Sequence, residues 1–138
     1  MTVSLRVRDY MVSDLVTVLP DTEIMRVINL LIERDISGVL VIDNSGRLAG
    51  IVTERDCIDV ASQSGYFDEL GGPVREFMTT AVETVGPDDN LMDVAIRMAK
   101  SHYRRFPVVE NGGLVGLIGR RDVLKVLAHG NWHPPEQR

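Results

Sequence analysis

Two short stretches of this chain combine residue types that bind small anions. Residues 50–56 read GIVTERD, and residues 116–122 read GLIGRRD. Each stretch contains a glycine, two apolar residues, a threonine or a glycine, two polar residues ending in arginine, and an aspartate. Threonine hydroxyls and arginine guanidinium groups donate hydrogen bonds to phosphate oxygens, and an aspartate accepts them from hydroxyl groups. The pattern therefore predicts a small polar site that occurs twice. We call these two sites the Asp56 corner (residues 53–56) and the Asp122 corner (residues 119–122).

The elements around these stretches predict where the polar residues lie. A strand pattern ends at Val52, and Thr53 and Asp56 fit the N-cap and the third position of a helix. Gly119 and Asp122 fit the same two positions. One interpretation is that the aspartates only cap helices. The other is that the helix N-terminus, with its unpaired N–H groups, seats a phosphate while the aspartate accepts from both hydroxyls of a ribose.

An internal repeat organises the chain. Residues 7–11 (VRDYM) match residues 74–78 (VREFM), and residues 17–21 (TVLPD) match residues 84–88 (TVGPD). The register shifts by one residue in a turn at residues 111–114 and then continues through the two polar stretches. We expect a first copy at 7–61, a polar linker at 62–73, a second copy at 74–127 and a tail at 128–138.

Within each copy the local signals predict a short strand, a helix, a hairpin and a second helix. Apolar residues recur at helical spacing after Pro20–Glu23, and a β-rich run, Val39–Ile42, is followed by a turn and a partner strand. The expected fold class is α/β (α+β), with two βαββα repeats packed with pseudo-twofold symmetry.

The ordered set of motifs resembles the CBS domain (named for cystathionine β-synthase), present as a tandem pair. The motifs that carry the resemblance are VRDYM and VREFM, TVLPD and TVGPD, VLVIDNSGRLAG and FPVVENGGLVG, and GIVTERD and GLIGRRD. Together they span nearly the whole chain. One departure is Leu40, which stands where the second copy has Pro107. Because proline fixes φ and removes an N–H, its absence is expected to be tolerated but to reshape the first cleft.

The resemblance implies that adenosyl ligands bind in two clefts between the repeats. In that family the aspartate contacts the ribose and the preceding Thr or Ser contacts the phosphate. The implied ribose-binding residues are Asp56 and Asp122. The predicted phosphate-binding residues are Thr53, Arg55, Arg104, Arg105, Arg120 and Arg121. The implied base-binding residues are Thr17, Val18, Ser37 and Gly38 for the Asp122 cleft, and Thr84, Val85 and Tyr103 for the Asp56 cleft.

These residues predict two unequal clefts. The Asp56 cleft keeps the Thr53 hydroxyl, whereas the Asp122 cleft has Gly119 there and arginines nearby. Charge therefore favours Asp122 for a ligand rich in phosphate, and the complete motif favours Asp56. The alternative for Arg104 and Arg105 is a solvated corner between a helix and a strand.

Composition excludes several function classes. The chain has 138 residues, 44% of them hydrophobic, and a formal net charge of -5. The acidic balance argues against broad nucleic-acid binding. No apolar run approaches the length of a membrane span, and no signal peptide or internal disulfide is expected, so a cytoplasmic location is predicted.

Cys57 is expected to be a buried apolar residue. No catalytic constellation, phosphate-binding Gly-rich loop or metal site is predicted, and the His129/His133 pair is not expected to bind metal.

The sequence thus favours a non-catalytic regulatory module that binds an adenine nucleotide and signals it to an unknown protein partner. AMP, ADP or ATP is the expected ligand, S-adenosylmethionine or NAD are further candidates, and no cofactor is required. A homodimer is expected through the apolar helix faces around Met25, Ile28 and Ile32 and around Met92, Ile96 and Ala99. The alternatives are a ligand-free dimerisation module and a single-stranded nucleic-acid binder that uses the arginines.

Overall fold

The computed structural model describes residues 5–64 and 71–128, without the side chains of residues 63 and 64. These residues form two compact units. We call residues 16–82 the Asp56 unit, and residues 5–15 with residues 83–128 the Asp122 unit. The predicted linker lies partly, and the His129/His133 pair wholly, outside the described residues.

The Asp56 unit contains the expected βαββα order. Its elements are β1 (Thr17–Val18), α1 (Ile24–Glu33), β2 (Gly38–Ile42), β3 (Leu48–Thr53) and α2 (Glu54–Ser64). Strand β2 lies in the middle of the sheet, parallel to β1 and antiparallel to β3. Ile24 and Val27, on the apolar stripe of α1, are fully buried against this sheet. Periodicity in the sequence therefore predicts this unit well.

The Asp122 unit repeats the order with a smaller sheet. Its elements are α3 (Leu91–Lys100), β4 (Arg105–Glu110), β5 (Gly113–Gly119) and α4 (Arg120–Ala128). Strands β4 and β5 form an antiparallel hairpin. The hairpin turns through Asn111 and Gly112, which both have positive φ, as an Asn-Gly hairpin turn requires. The first strand of this copy is reduced to one bridge between Val85 and Val108.

The departure at Leu40 coincides with this difference in the first strand. Leu40 is buried in β2 and pairs with Thr17 of β1, whereas Pro107 in β4 has no N–H to offer. Val85 instead donates its N–H to the Pro107 carbonyl (3.0 Å) and accepts from Val109 (2.9 Å). The copy without proline thus has the longer parallel pairing.

The start segments of the two copies are exchanged. Residues 5–15, from the first copy, pack in the Asp122 unit, and residues 71–82, from the second copy, pack in the Asp56 unit. Val7 and Val74 are both fully buried in these cores. The Val7 N–H donates to the Asp89 carbonyl (3.0 Å), and the Val74 N–H donates to the Thr22 carbonyl (2.7 Å). Each core is therefore built from both copies of the sequence.

Ion pairs repeat the same exchange. Nε of Arg8 lies 2.9 Å from Oδ1 of Asp88, and the guanidinium of Arg75 is hydrogen-bonded to the Asp21 carboxylate. The Arg8 hydrogen bond lowers the pKa of Asp88 below its ordinary value. The arginine of each VRD or VRE motif thus recognises the PD motif of the other copy, which explains why both motifs occur twice.

No helix among the described residues is long and apolar enough to cross a membrane. In the same part of the chain, no group of three or more His, Cys, Asp or Glu side chains could hold a metal ion.

Candidate functional site

In the Asp56 unit the predicted polar corner forms the first turn of α2. The Thr53 N–H donates to Oδ2 of Asp56 (2.9 Å), and the Asp56 N–H donates to Oγ1 of Thr53 (3.1 Å). These reciprocal bonds confirm the helix-capping interpretation of the two residues. They also hold the carboxylate in one orientation, half-buried at the end of β3.

Thr79 is a member of this corner that the sequence did not reveal. Its hydroxyl lies 3.4 Å from Oδ1 of Asp56, and its backbone is bridged to Ile51 by two hydrogen bonds of 2.8 and 3.0 Å. Thr79 belongs to the exchanged start segment of the second copy. In the sequence, Thr79 and Thr80 are visible only as a polar pair after the VREFM motif, and nothing in that pair indicates that Thr79 contacts Asp56.

In the Asp122 unit the equivalent corner has fewer hydroxyl groups. The Gly119 N–H donates to Oδ2 of Asp122 (2.8 Å), so the aspartate again caps its helix. Gly119 has no hydroxyl to accept the Asp122 N–H. Val12, which is bridged to Leu117, occupies the position that Thr79 has in the Asp56 unit. Among the described residues no side chain donates to Oδ1 of Asp122. One oxygen of this carboxylate is therefore available to a ligand.

Four arginine residues lie next to the Asp122 corner along the backbone. Arg105 pairs with Gly119 across the hairpin, and the Arg120 N–H donates to the Arg104 carbonyl (3.0 Å). Arg121 follows in the first turn of α4. None of these four side chains has an acidic partner among the described residues. The backbone therefore brings four arginine residues to one helix N-terminus, where a phosphate would be stabilised.

Among the described residues the Asp56 corner has fewer neighbouring arginines. Ser37 and Gly38 occupy the places of Arg104 and Arg105, and Glu54 donates its N–H to the Ser37 carbonyl (3.0 Å). Arg55 is 90% exposed, and its Nε lies 4.0 Å from the Asp59 carboxylate. The structure therefore gives the two corners opposite local charge.

The predicted base-binding residues divide between the units. Thr17, Val18, Ser37 and Gly38 lie in the Asp56 unit, and Thr84, Val85 and Tyr103 lie in the Asp122 unit. Val18 and Val85 are buried in their cores, so only their backbone atoms could contact a ligand. Tyr103 is exposed, and its ring centroid lies 5.4 Å from that of buried Phe106.

The glycine that opens each polar stretch is required by the exchanged segment. A Cβ atom on Gly50 would lie 2.8 Å from the Thr79 carbonyl oxygen, and one on Gly116 would lie 3.1 Å from the Val12 carbonyl oxygen. Side-chain atoms of Met78 and Met11 crowd the same positions. The start segment of the other copy therefore crosses each hairpin at its glycine.

Cys57 is buried next to Asp56, which confirms the sequence prediction for this residue. Burial, and then the Asp56 carboxylate, raise the pKa of the Cys57 thiol above its ordinary value. The thiol therefore stays protonated at neutral pH and packs as an apolar group.

Comparisons with known proteins agree with this architecture. Uncharacterized protein MJ1225 of Methanocaldococcus jannaschii is 29% identical over 121 residues, which are 88% of this chain and 42% of that protein. A crystal structure of CBSX2 in complex with AMP has a TM-score of 0.81 and 29% identity, and the match covers 94% of this chain and all of that one.

A second solved structure is the CBS domain pair of protein MJ0100, in complex with 5′-methylthioadenosine and S-adenosyl-L-methionine. It has a TM-score of 0.74 and 27% identity, and the match covers 91% of this chain and 97% of that one. The matched segments are 42%, 56% and 34% of the length of three curated relatives, so this chain spans about half of those proteins or less.

The sequence also matches the CBS domain family directly, at residues 7–63 and 74–129. These two matches begin at the two exchanged start segments. This chain belongs to the CBS domain family and carries the domain twice.

Proposed function

We propose that this chain is a non-catalytic regulatory module that binds an adenine nucleotide at its two aspartate corners. The observation that carries the proposal is the fixed carboxylate in each unit. Asp56 and Asp122 each use Oδ2 to cap a helix, through bonds of 2.9 and 2.8 Å from Thr53 and Gly119. The other oxygen, Oδ1, can then accept a ribose hydroxyl without any rearrangement of the backbone.

The helix N-termini support a phosphate next to the ribose. The first N–H groups of an α-helix have no partner within the helix, and they carry partial positive charge. In the Asp122 unit Gly119 leaves the Asp122 N–H without the hydroxyl acceptor that Thr53 gives to Asp56. We propose that this N–H, with Arg104, Arg105 and Arg121, binds the phosphate. Arg120 remains a predicted phosphate ligand, but this proposal does not require it.

Solved relatives support the class of ligand. CBSX2 was crystallised with AMP, and the MJ0100 pair with 5′-methylthioadenosine and S-adenosyl-L-methionine. All of these molecules contain an adenosine with a ribose diol. We propose AMP, ADP or ATP as the ligand of this chain, and a partner protein that responds to its binding through a conformational change or a change in the dimer.

The test is calorimetric titration of the protein with AMP, ADP, ATP, S-adenosylmethionine and 5′-methylthioadenosine. Asp56→Asn and Asp122→Asn keep an oxygen that can cap the helix but remove the charge. Because a hydrogen bond to a charged group contributes about 1.5–3 kcal/mol, each variant should bind about 10- to 150-fold more weakly at its own corner.

Thr22→Ala, which removes a hydroxyl that accepts from the Leu19 N–H, serves as a control away from both corners. It should leave the affinity unchanged. If no adenosine compound produces heat or a thermal shift, the proposal is wrong and a ligand-free dimerisation module remains.

We also propose that the chain forms a homodimer through its helix faces. Large apolar side chains are exposed on both helix pairs, including Ile32 (73%), Ile58 (66%) and Leu124 (57%). A monomer rarely exposes contiguous apolar surface of this kind. Sedimentation velocity should give a dimer at micromolar concentration, and a monomer under those conditions would refute this part of the proposal alone.

A further inference from the structure

Thr79 places a second oxygen beside Oδ1 of the Asp56 carboxylate. Oγ1 of Thr79 lies 3.4 Å from Oδ1 of Asp56, whereas Oδ2 of Asp56 accepts the Thr53 N–H at 2.9 Å. The Thr53 hydroxyl is engaged elsewhere, because its oxygen accepts the Asp56 N–H at 3.1 Å. Thr79 therefore carries the hydroxyl group that adjoins the oxygen proposed to bind the ribose.

The hairpin of the Asp56 unit holds the backbone of Thr79 in place. The Thr79 N–H donates to the Ile51 carbonyl (2.8 Å), and the Ile51 N–H donates to the Thr79 carbonyl (3.0 Å). The segment that carries Thr79 is also anchored by Val74, which is fully buried in the same core. The backbone of Thr79 is thus positioned next to Asp56 before any ligand binds, and a preorganised contact costs less to form.

The two oxygens suit a vicinal diol. Hydroxyl groups on neighbouring ribose carbons are separated by about the length of a hydrogen bond, about 2.8 Å. One hydroxyl can donate to Oδ1 of Asp56 and the other to Oγ1 of Thr79, because a hydroxyl oxygen accepts while it donates its own hydrogen. Thr79 is exposed and Asp56 is partly exposed, so neither residue is closed to a ligand.

The Asp122 unit provides the natural comparison. Val12, which is 45% exposed, occupies the position of Thr79 and is bridged to Leu117 as Thr79 is to Ile51. Valine has nearly the shape of threonine but no hydroxyl group. The repeat therefore keeps the backbone of this position and changes only whether it offers an oxygen.

We propose that Thr79 determines the specificity of the Asp56 corner for ribose, by accepting one ribose hydroxyl while Asp56 accepts the other. The inference rests on the proposed nucleotide binding and adds a residue and a selectivity to it. The Asp56 corner then recognises the diol with two side chains, whereas the Asp122 corner has only its carboxylate for this purpose. The Asp56 corner should therefore distinguish AMP from 2′-deoxy-AMP and 3′-deoxy-AMP more strongly than the Asp122 corner does.

Calorimetric titration with AMP, 2′-deoxy-AMP and 3′-deoxy-AMP tests the role of Thr79. The three ligands carry the same phosphate, and Asp122→Asn weakens the other corner so that the Asp56 corner is measured. In that chain Thr79→Val should weaken AMP binding about 2- to 12-fold, which is the loss of one neutral hydrogen bond. It should also abolish discrimination against one of the two deoxy nucleotides, because the hydroxyl which that ligand lacks no longer has a partner.

Two further variants separate specificity from stability. Thr79→Ser keeps the hydroxyl and should restore both the affinity and the discrimination. Thr80→Val, a matched change at the exposed neighbouring residue, should leave both unchanged. If Thr79→Val weakens all three ligands equally, leaves all three affinities unchanged or tightens AMP binding, Thr79 does not accept a ribose hydroxyl and the inference is wrong.

The converse change tests the same position in the other unit. In an Asp56→Asn chain, Val12→Thr should raise the preference for AMP over one deoxy nucleotide at the Asp122 corner about 2- to 12-fold. An unchanged preference would contradict a specificity role for this position.

The same titrations distinguish failure of this inference from failure of the binding proposal. If the Asp122→Asn chain gives no heat with AMP, the Asp56 corner binds no nucleotide and the proposed function is wrong for that corner. If that chain binds AMP but Thr79→Val leaves the ratios of the three affinities unchanged, only the role of Thr79 is refuted.

Discussion

At the residue scale, an aspartate that caps a helix with one carboxylate oxygen still has its other oxygen for the ligand that we propose. Oδ2 of Asp122 accepts the Gly119 N–H at 2.8 Å, and Oδ1 has no side-chain donor among the described residues. In the Asp56 corner two threonines, Thr53 and Thr79, add hydroxyl groups to the same arrangement. The corners thus share a carboxylate and differ in their neighbours, which are threonine hydroxyls in one and arginine residues of the adjoining backbone in the other.

The missing hydroxyl at Gly119 gives a prediction at this scale. A Cβ on Gly119 would have its nearest neighbour, the Arg104 carbonyl oxygen, at 3.5 Å, so a side chain fits. Gly119→Ser should stabilise the protein by about 0.5–1 kcal/mol, because serine caps better than glycine and restricts the unfolded chain. Thr53→Ala should cost about 1 kcal/mol. Urea unfolding measures both, and a Gly119→Ser protein less stable than wild type would contradict the capping geometry.

At the scale of elements, the close crossing of a start segment over a hairpin restricts the sequence. The segment carrying Met78 and Thr79 passes over β3 at Gly50, and the segment carrying Met11 and Val12 passes over β5 at Gly116. Backbone hydrogen bonds between Val12 and Leu117, both 2.9 Å, fix the second crossing. A side chain at Gly50 or Gly116 would fit only if the crossing segment moved.

Alanine at these glycines should therefore be costly. Gly50→Ala and Gly116→Ala each place a methyl group against backbone, and we expect a loss of about 1–3 kcal/mol of unfolding free energy. Gly38→Ala is the matched control, because its Cβ would find neighbours only at ordinary contact distances of 3.4 Å or more. Thermal unfolding should rank the control close to wild type. Equal losses in all three variants would show that the crossing is not the cause.

At the scale of the whole molecule, the compact units and the sequence copies are different divisions of the chain. Val7 of the first copy is fully buried in the core of the Asp122 unit, and Val74 of the second copy is fully buried in the core of the Asp56 unit. A single copy cut out of the sequence therefore lacks part of its own core.

Two fragments of similar length test this division. Residues 16–82 contain the complete Asp56 unit, whereas residues 1–64 contain the first copy without Val74 and its segment. We expect the first fragment to show cooperative unfolding by circular dichroism and the second to show none as a monomer, because burial of Val74 and Phe77 is lost. A cooperatively folded monomer of residues 1–64 would mean that the exchanged segment is dispensable.

The sequence by itself determined the elements and the identity of the corners. Helical periodicity from Ile24, the turn after Ile42 and the capping pair Thr53 and Asp56 depend on residues close together in the chain, and the structure confirms each of them. The sequence also predicted that Arg104 and Arg105 lie next to the Asp122 corner, because a hairpin brings its two strands side by side.

The tertiary structure alone decided which start segment completes which core. Residues 7–11 and 74–78 are so alike in sequence that local signals cannot show which unit each of them completes. The choice depends on contacts between residues far apart in the chain, such as Arg8 with Asp88 and Thr79 with Asp56. For the same reason Thr79 entered the candidate site only when the fold placed it there.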